Sequence, residues 1–229
     1  MGQNYNPKPV KTENVKFSMD VRNTFSRLNY IDLINNFVGT ATGATSSGTG
    51  TTLGLLFSAL TDKIDFSNLT SLNFTSTPIS ISAWIYPVTY GGGSSGRIVD
   101  KYKTTVPQTG YAFWVDNNIG TNAIAFGTGW SVSTSVGRIS NVITLNTWQH
   151  VAVTYAGTSC TFYVNGSSIG SSGSITNPSS GSNSLIVGNN SSGTNNFDGK
   201  IDFVKIYNTS LTAKDVSDLY NSTRSRYGI

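Results

Sequence analysis

One cysteine (Cys160), one histidine (His150) and one glutamate (Glu13) occur in 229 residues. A lone cysteine forms no intrachain disulfide and cannot supply a multi-thiolate zinc site. Charged residues make up 11% of the chain, against a typical value of about 25%. The strong helix former Glu is almost missing, so a mainly helical fold is excluded. No apolar run approaches the roughly 20 residues of a membrane span, and no membrane insertion is expected. The net charge is only +4, with a pI of about 9.1. No dense Lys/Arg block accompanies it, so nucleic acid is not an expected partner. The opening MGQNYNPKPVKTENVKF has no apolar core and does not read as a secretion signal. Asn6 also breaks the myristoylation pattern.

Ser, Thr, Asn and Gly replace the missing charge and fill roughly half the chain. Hydrophobic residues are 37%, enough for a core in one large β-domain. The surface composition looks extracellular, while no export signal or disulfide chemistry is visible. A virion component released by lysis fits both features, as does a substrate of a signal-less secretion system. Residues 1–16 read as an extended arm set by Pro7 and Pro9. Tyr5, Pro7, Lys8, Pro9 and Lys11 are its candidate anchoring residues, and the domain proper is taken as 17–229.

Residues 40–52, TATGATSSGTGTT, and the Ser/Gly-rich stretch 167–184 read as loops by composition. Gly91, Gly92 and Gly93 read as a flexible loop. From Ile79 the pattern becomes short alternating strands. ISISAWIYP alternates and ends at Pro87. GYAFWVDN places Tyr111, Phe113 and Val115 opposite Ala112, Trp114 and Asp116. NAIAFG alternates likewise. TWQHVAVTYAG sets Val151, Val153 and Tyr155 against Trp148, His150 and Ala152. CTFYVNG ends in Asn165-Gly166, a two-residue hairpin signal. SLIVGN and DGKIDFVKIYN are further strands. One helix follows, capped by Thr212 with Asp215 three residues on, and Val216, Leu219 and Tyr220 share a face. Many short strands, one short helix and no βαβ alternation indicate an all-β, antiparallel two-sheet sandwich.

TWQHVAVTYAGTSCTFYVNGSSIG resembles the central strand pair of the laminin-G-like, concanavalin A-like jelly roll. SLIVGN, NFDGKIDFVKIYN and SLTAKDVSDLY resemble that family's closing segment in the same order. STPISISAWIYP resembles an earlier strand, and YIDLINNFVGTATG a degraded opening loop. The resemblance covers roughly residues 28–221 and implies a jelly roll acting as a binding module. LYNSTRSRYGI is similar to endings of such domains in bacteriophage structural proteins. The family also implies a calcium site near FSALTDKIDF. Ser58, Ala59 and Thr61 replace most of its acids, leaving Asp62 as the one weak metal candidate. Phe203 stands where relatives often carry another acid. Calcium wants six to eight oxygens, so no cofactor is expected; calcium held by Asp62 with backbone and Asn carbonyls stays the one open alternative.

Glycosidase chemistry needs two suitably spaced carboxyl groups. Glu13 lies in the arm, Asp62 and Asp65 would point oppositely on a strand, and Asp215/Asp218 sit on the helix, so no enzymatic activity is expected. His150 reads as a packed, hydrogen-bonded residue rather than a base. Cys160 reads as a small buried hydrophobe. Trp84 and Trp148 read as core. Trp130 and Trp114, with Asn117 and Tyr90, are the candidate glycan contacts: an aromatic face meets a sugar's CH face and amides meet its hydroxyls. Loops near 90–110, 127–140 and 167–184 are expected to face outward. The asparagines of Asn-x-Ser/Thr matches, Asn68, Asn165 and Asn208, read as chance occurrences.

The expectation is therefore a non-enzymatic virion-surface protein: a capsid decoration, head-fibre or tail-fibre component. Its partners would be a major capsid protein or fibre subunits, further copies of itself, and a glycan. A carbohydrate-binding module of a secreted bacterial protein is the alternative, with a glycoside hydrolase third.

Overall fold

The computed structural model describes residues 13–22, 30–76, 78–103, 105, 108–128, 135–173 and 175–229. Its early strands are β1 (Val15–Met19), β2 (Tyr30–Ile31), β3 (Val38–Thr42), β4 (Thr45–Ser47), β5 (Gly54–Phe57) and β6 (Lys63–Asp65). Next come β7 (Ile79–Pro87), β8 (Arg97–Asp100), β9 (Ala112–Asp116), β10 (Ala123–Gly127) and β11 (Val136–Ile139). The chain continues through β12 (Gln149–Tyr155), β13 (Cys160–Val164), β14 (Ser167–Ser172), β15 (Ile186–Val187) and β16 (Gly199–Tyr207). Helix α1 (Ala213–Thr223) follows.

Among the described residues the strands form two eight-stranded sheets. The first runs β14-β13-β12-β7-β16-β5-β4, with β1 also paired to β16; the second runs β11-β10-β9-β8-β15-β6-β3-β2. The ladders between these strands are antiparallel. This is the antiparallel two-sheet sandwich that the alternation indicates, and it is consistent with the jelly roll that the resemblance implies.

Period-2 patterning decides what faces what. On β7 and β12, Ile79, Ile81, Ala83, Ile85, Val151, Val153 and Tyr155 enter the space between the sheets. From the second sheet Val99, Phe113, Val115, Ile124, Phe126 and Val187 meet them. Each large apolar side chain buried this way contributes about 1.5–3 kcal/mol.

The opposite row of the first sheet is covered too. Trp84 and Trp148 are buried, as the sequence reading has it, but outside the inter-sheet core, in a cluster with Tyr227. Trp84 Nε1 donates to Thr223 Oγ1 at 2.8 Å, and its ring stacks on Tyr227 at 4.0 Å. Helix α1 and the turn Arg224–Tyr227 thus form a lid over this face. The helix carries the expected capping box: Asp215 N donates to Thr212 Oγ1, and Thr212 N to Asp215 Oδ2.

Two stretches assigned to loops by composition pair as strands. Residues 40–52 contain the end of β3 and all of β4. Ser167–Ser172 is β14, hydrogen-bonded to β13. The Asn165-Gly166 turn folds the chain back, and an existing edge then supplies ladder partners whatever the side-chain propensity. Both Asn165 and Gly166 take positive φ, 49° and 77°. Val15 and Lys16, assigned to the arm, belong to β1. Tyr5, Pro7, Lys8, Pro9 and Lys11 lie outside the described residues.

Candidate functional site

Beside the second sheet lies a pocket of about 420 Å³, within the range of small-molecule sites. Two segments far apart in sequence, 93–118 and 190–195, line it. The β7–β8 loop supplies Gly93 and Ser95, and β8 supplies Arg97 and Asp100. Tyr102 and Gln108 follow, the β9–β10 loop adds Asn118, and the β15–β16 loop adds Asn190, Ser191 and Asn195.

The wall is held by its own hydrogen bonds. Asn190 Nδ2 donates to Asn195 Oδ1 at 2.7 Å, and Asn195 Nδ2 donates to Gly92 O at 3.1 Å. Asn195 N donates to Asn189 Oδ1 at 3.1 Å. Asn189 Nδ2 donates to the carbonyls of Leu60 and Asp62. Gly91 N–Gly96 is therefore a tied loop, although its glycine run reads as flexible: Gly92 N donates to Asn196 O and Gly96 N to Tyr90 O. Gly91 has φ +69°, and a Cβ there would collide with Asn196 O, so only glycine fits this crossing.

The floor is electrostatic. Arg97 Nε donates to Asp100 Oδ2 at 3.1 Å, and Tyr102 N donates to Asp100 Oδ1 at 3.0 Å. Burial pushes the Asp100 carboxyl up to about 6, with Arg97 and the Tyr102 N–H only partly offsetting it. The folded carboxyl therefore keeps its proton to higher pH than the unfolded one, whose value is 3.8. Its contribution to stability is complete below about pH 4 and is lost as pH rises through 6. Asp100→Asn should remove this dependence. Relative to the variant, the wild-type chain should gain up to a few kcal/mol between neutral pH and pH 4, read from Tm against pH. The same profile in both chains would assign the slope elsewhere.

Trp114 stands on the outer face of the second sheet, opposite in direction to Phe113 and Val115, as its alternation requires. It is not an open platform. Its exposure is 1%, and the Arg97 guanidinium lies 4.6 Å from its ring centroid. Arg97 is its register partner on β8, and a planar cation covers an indole face favourably. The indole expected as a glycan contact is therefore covered by Arg97 in this structure. Trp130 lies outside the described residues.

Asn117 and Tyr90 converge on Asn122 rather than on the pocket. Asn122 N donates to Asn117 Oδ1 at 3.0 Å, and Tyr90 Oη donates to Asn122 Oδ1 at 2.8 Å. Asn117 is nonetheless the neighbour of the pocket residue Asn118. Sequence reasoning missed the pocket's Asn and Ser residues. The readable signal was the density of amides in NNSSGTNN, residues 189–196, between two strand patterns.

Asp62 is buried, and its Oδ2 accepts from Ser58 N at 2.8 Å and Ala59 N at 2.9 Å. It closes a turn. Among the described residues no three His, Cys, Asp or Glu side chains gather as metal ligands. One carboxylate already bonded to two amides does not fit calcium's oxygen-rich shell.

His150 is 1% exposed, and its Nε2 lies 3.0 Å from Ser82 Oγ. Burial lowers its pKa to about 3, so it is a neutral packing residue at physiological pH. Cys160 is fully buried, and burial raises its thiol to about 12, well away from a reactive thiolate.

Residues 58–217 match a family described as the concanavalin A-like lectin/glucanases superfamily. The binding domain of Paraclostridial Mosquitocidal Protein 1 superposes with a TM-score of 0.67 at 22% identity, over 91% of this chain and 52% of that one. Domain 4 of AbnA, a GH43 extracellular arabinanase from Geobacillus stearothermophilus in complex with arabinotriose, gives 0.67 at 18% identity, over 90% of this chain and 98% of that one. The botulinum neurotoxin serotype D ligand binding domain in complex with N-acetylneuraminic acid gives 0.64 at 15% identity, over 91% and 51%. This chain spans about half the length of the toxin binding domains, as the 52% and 51% coverages state. At these identities the likeness is one of fold. No curated protein matches the sequence.

Proposed function

Because this chain belongs to the concanavalin A-like lectin/glucanase superfamily, we propose that it is a non-catalytic glycan-binding module displayed on a virion surface, with the Arg97–Asp100 pocket as its sugar site. The observation that carries the glycan reading is the pocket lining. Asn118, Asn190, Ser191, Asn195, Ser95 and Gln108 are uncharged donors and acceptors, the complement of a polyhydroxylated ligand. The arabinotriose complex of AbnA domain 4 and the N-acetylneuraminic acid complex of the serotype D domain support binding as a use of this fold.

The acids support a non-enzymatic reading. Asp100 stands opposite Ala112 on β9. Asp116 stands four residues further along β9. Asp100 is held by Arg97 and Asp116 by Arg138. Glycoside hydrolysis needs two carboxyl groups available as acid and as nucleophile or base, whereas each of these is engaged by an arginine. The virion placement rests on composition: few charges, one cysteine and an amide- and hydroxyl-rich surface. A module appended to a secreted bacterial protein is the second reading, favoured by the 98% coverage of a single arabinanase domain.

A shallow sugar site reaches about millimolar affinity, near −4 kcal/mol, and a multivalent array adds about 10² to 10⁴ in avidity. The test is therefore a glycan array probed with the protein clustered on beads. Binding should fall about tenfold or more in the Asn118→Ala/Ser191→Ala variant, whose side chains are exposed. A blank array, or retention unaffected by the variant, would sink the assignment.

A further inference from the structure

Four of the eight well-exposed large apolar side chains among the described residues fall within six positions: Leu33 at 40%, Ile34 at 43%, Phe37 at 38% and Val38 at 53%. They occupy the tip of the β2–β3 hairpin, at the edge of the second sheet. The tip is firmly built. Asp32 is fully buried, and its carboxylate accepts from Ser18 N, Ile34 N, Asn35 N and Asn35 Nδ2 at 2.7–3.2 Å. Asp32 N donates to Phe37 O, and Leu33 N to Ser18 O, both at 2.8 Å.

A docking surface for a flat partner is apolar on one side. Here Val38 pairs with Ile31, and strand alternation sends the adjacent Phe37 to the opposite side. The ribbon is therefore apolar on both faces at its end. The exposed apolar area is roughly 300 Å², taking 150–250 Å² for a large side chain, whereas a stable dimer buries about 800 Å² per partner. A basic residue also borders the tip. The hairpin's own carboxylate, Asp32, is buried and fully bonded, while Lys16 borders the tip and its carbonyl accepts from Asn35 Nδ2 at 2.9 Å. Asp65 stands opposite Thr40, behind the tip.

We propose that the β2–β3 hairpin tip is a lipid wedge, entering the headgroup–acyl boundary of an anionic bilayer with Leu33, Ile34, Phe37 and Val38. A wedge differs from a membrane span, for which no helix of the described residues is long and apolar enough. Shallow apolar insertion aided by basic residues is the physics of peripheral binding. The proposal is independent of the sugar pocket.

The full chain should co-sediment with sucrose-loaded vesicles of phosphatidylcholine and phosphatidylglycerol, and less with phosphatidylcholine alone. Ile34→Ser/Phe37→Ser should lower partitioning at least about tenfold with an unchanged circular dichroism spectrum. F37W keeps the tip apolar, and its added indole should be quenched by acyl-brominated lipid beyond the wild-type level. Absence of co-sedimentation overturns the proposal. So does partitioning insensitive to the double variant, which would be charge attraction alone. Self-association abolished by that variant, without vesicle binding, overturns it in favour of a second copy.

Discussion

Asp202→Ala should cost about 3–5 kcal/mol of stability. The carboxylate is fully buried in the bulge of β16. Its Oδ1 accepts from Phe203 N at 2.7 Å and Val21 N at 3.1 Å; its Oδ2 accepts from Tyr227 Oη at 2.8 Å. Arg22 Nε lies 3.5 Å from the same oxygen. Phe203 has φ +51°, a conformation that an aromatic residue adopts only when its surroundings over-determine it. Removing the acceptor strands two backbone donors and a phenol at once, and takes the counter-charge from Arg22. It also frees Tyr227, whose ring covers Trp84. Urea unfolding measures the loss, and hydrogen exchange should rise first at residues 200–207 and in the turn Arg224–Tyr227. A cost below about 1 kcal/mol, the ordinary surface value, would refute this account of the bulge.

The second large effect is acid lability through His150. Its folded pKa is about 3, against 6.5 when free, and burial is the cause. The unfolded chain therefore binds one more proton than the folded chain between those values. Stability from this group is present above pH 6.5 and is lost as pH falls toward 3. The full loss is on the order of 4–5 kcal/mol, at about 1.4 kcal/mol per unit. Trp84 lies against the imidazole at 5.5 Å and Tyr220 at 6.2 Å, leaving no room for a hydrated cation. His150→Gln should flatten the acid limb of a stability–pH curve, opposite in sign to the effect of Asp100. An unchanged acid limb in the Gln variant would place the lability elsewhere.

Within a strand, the sequence was a good guide. Val151, Val153 and Tyr155 face the core, and Trp148, His150 and Ala152 face away. The direction of Trp114 was legible too, because alternation is a local rule. Its burial was not. Arg97 reaches it only because β8 pairs with β9, and no spacing in the sequence encodes that roof. The strands β4 and β14 were hidden for a related reason. Their Ser- and Gly-rich residues carry little strand propensity, and pairing with a neighbour, not side-chain character, makes them strands.

The sequence by itself determined the class of molecule. Scarce charge, a near absence of Glu and repeated two-residue alternation leave two antiparallel sheets as the economical way to bury the apolar rows. Tertiary structure alone assembled the pocket beside the second sheet. The pocket draws on residues from Gly93 to Asn195, brought together by strand order rather than by proximity along the chain. Tertiary structure also decided that a helix and a tail would seal the outer face around Trp84. Alternation acts between neighbours and can be read in a line; loop convergence depends on which strands pair, and that is settled only when the whole chain has packed.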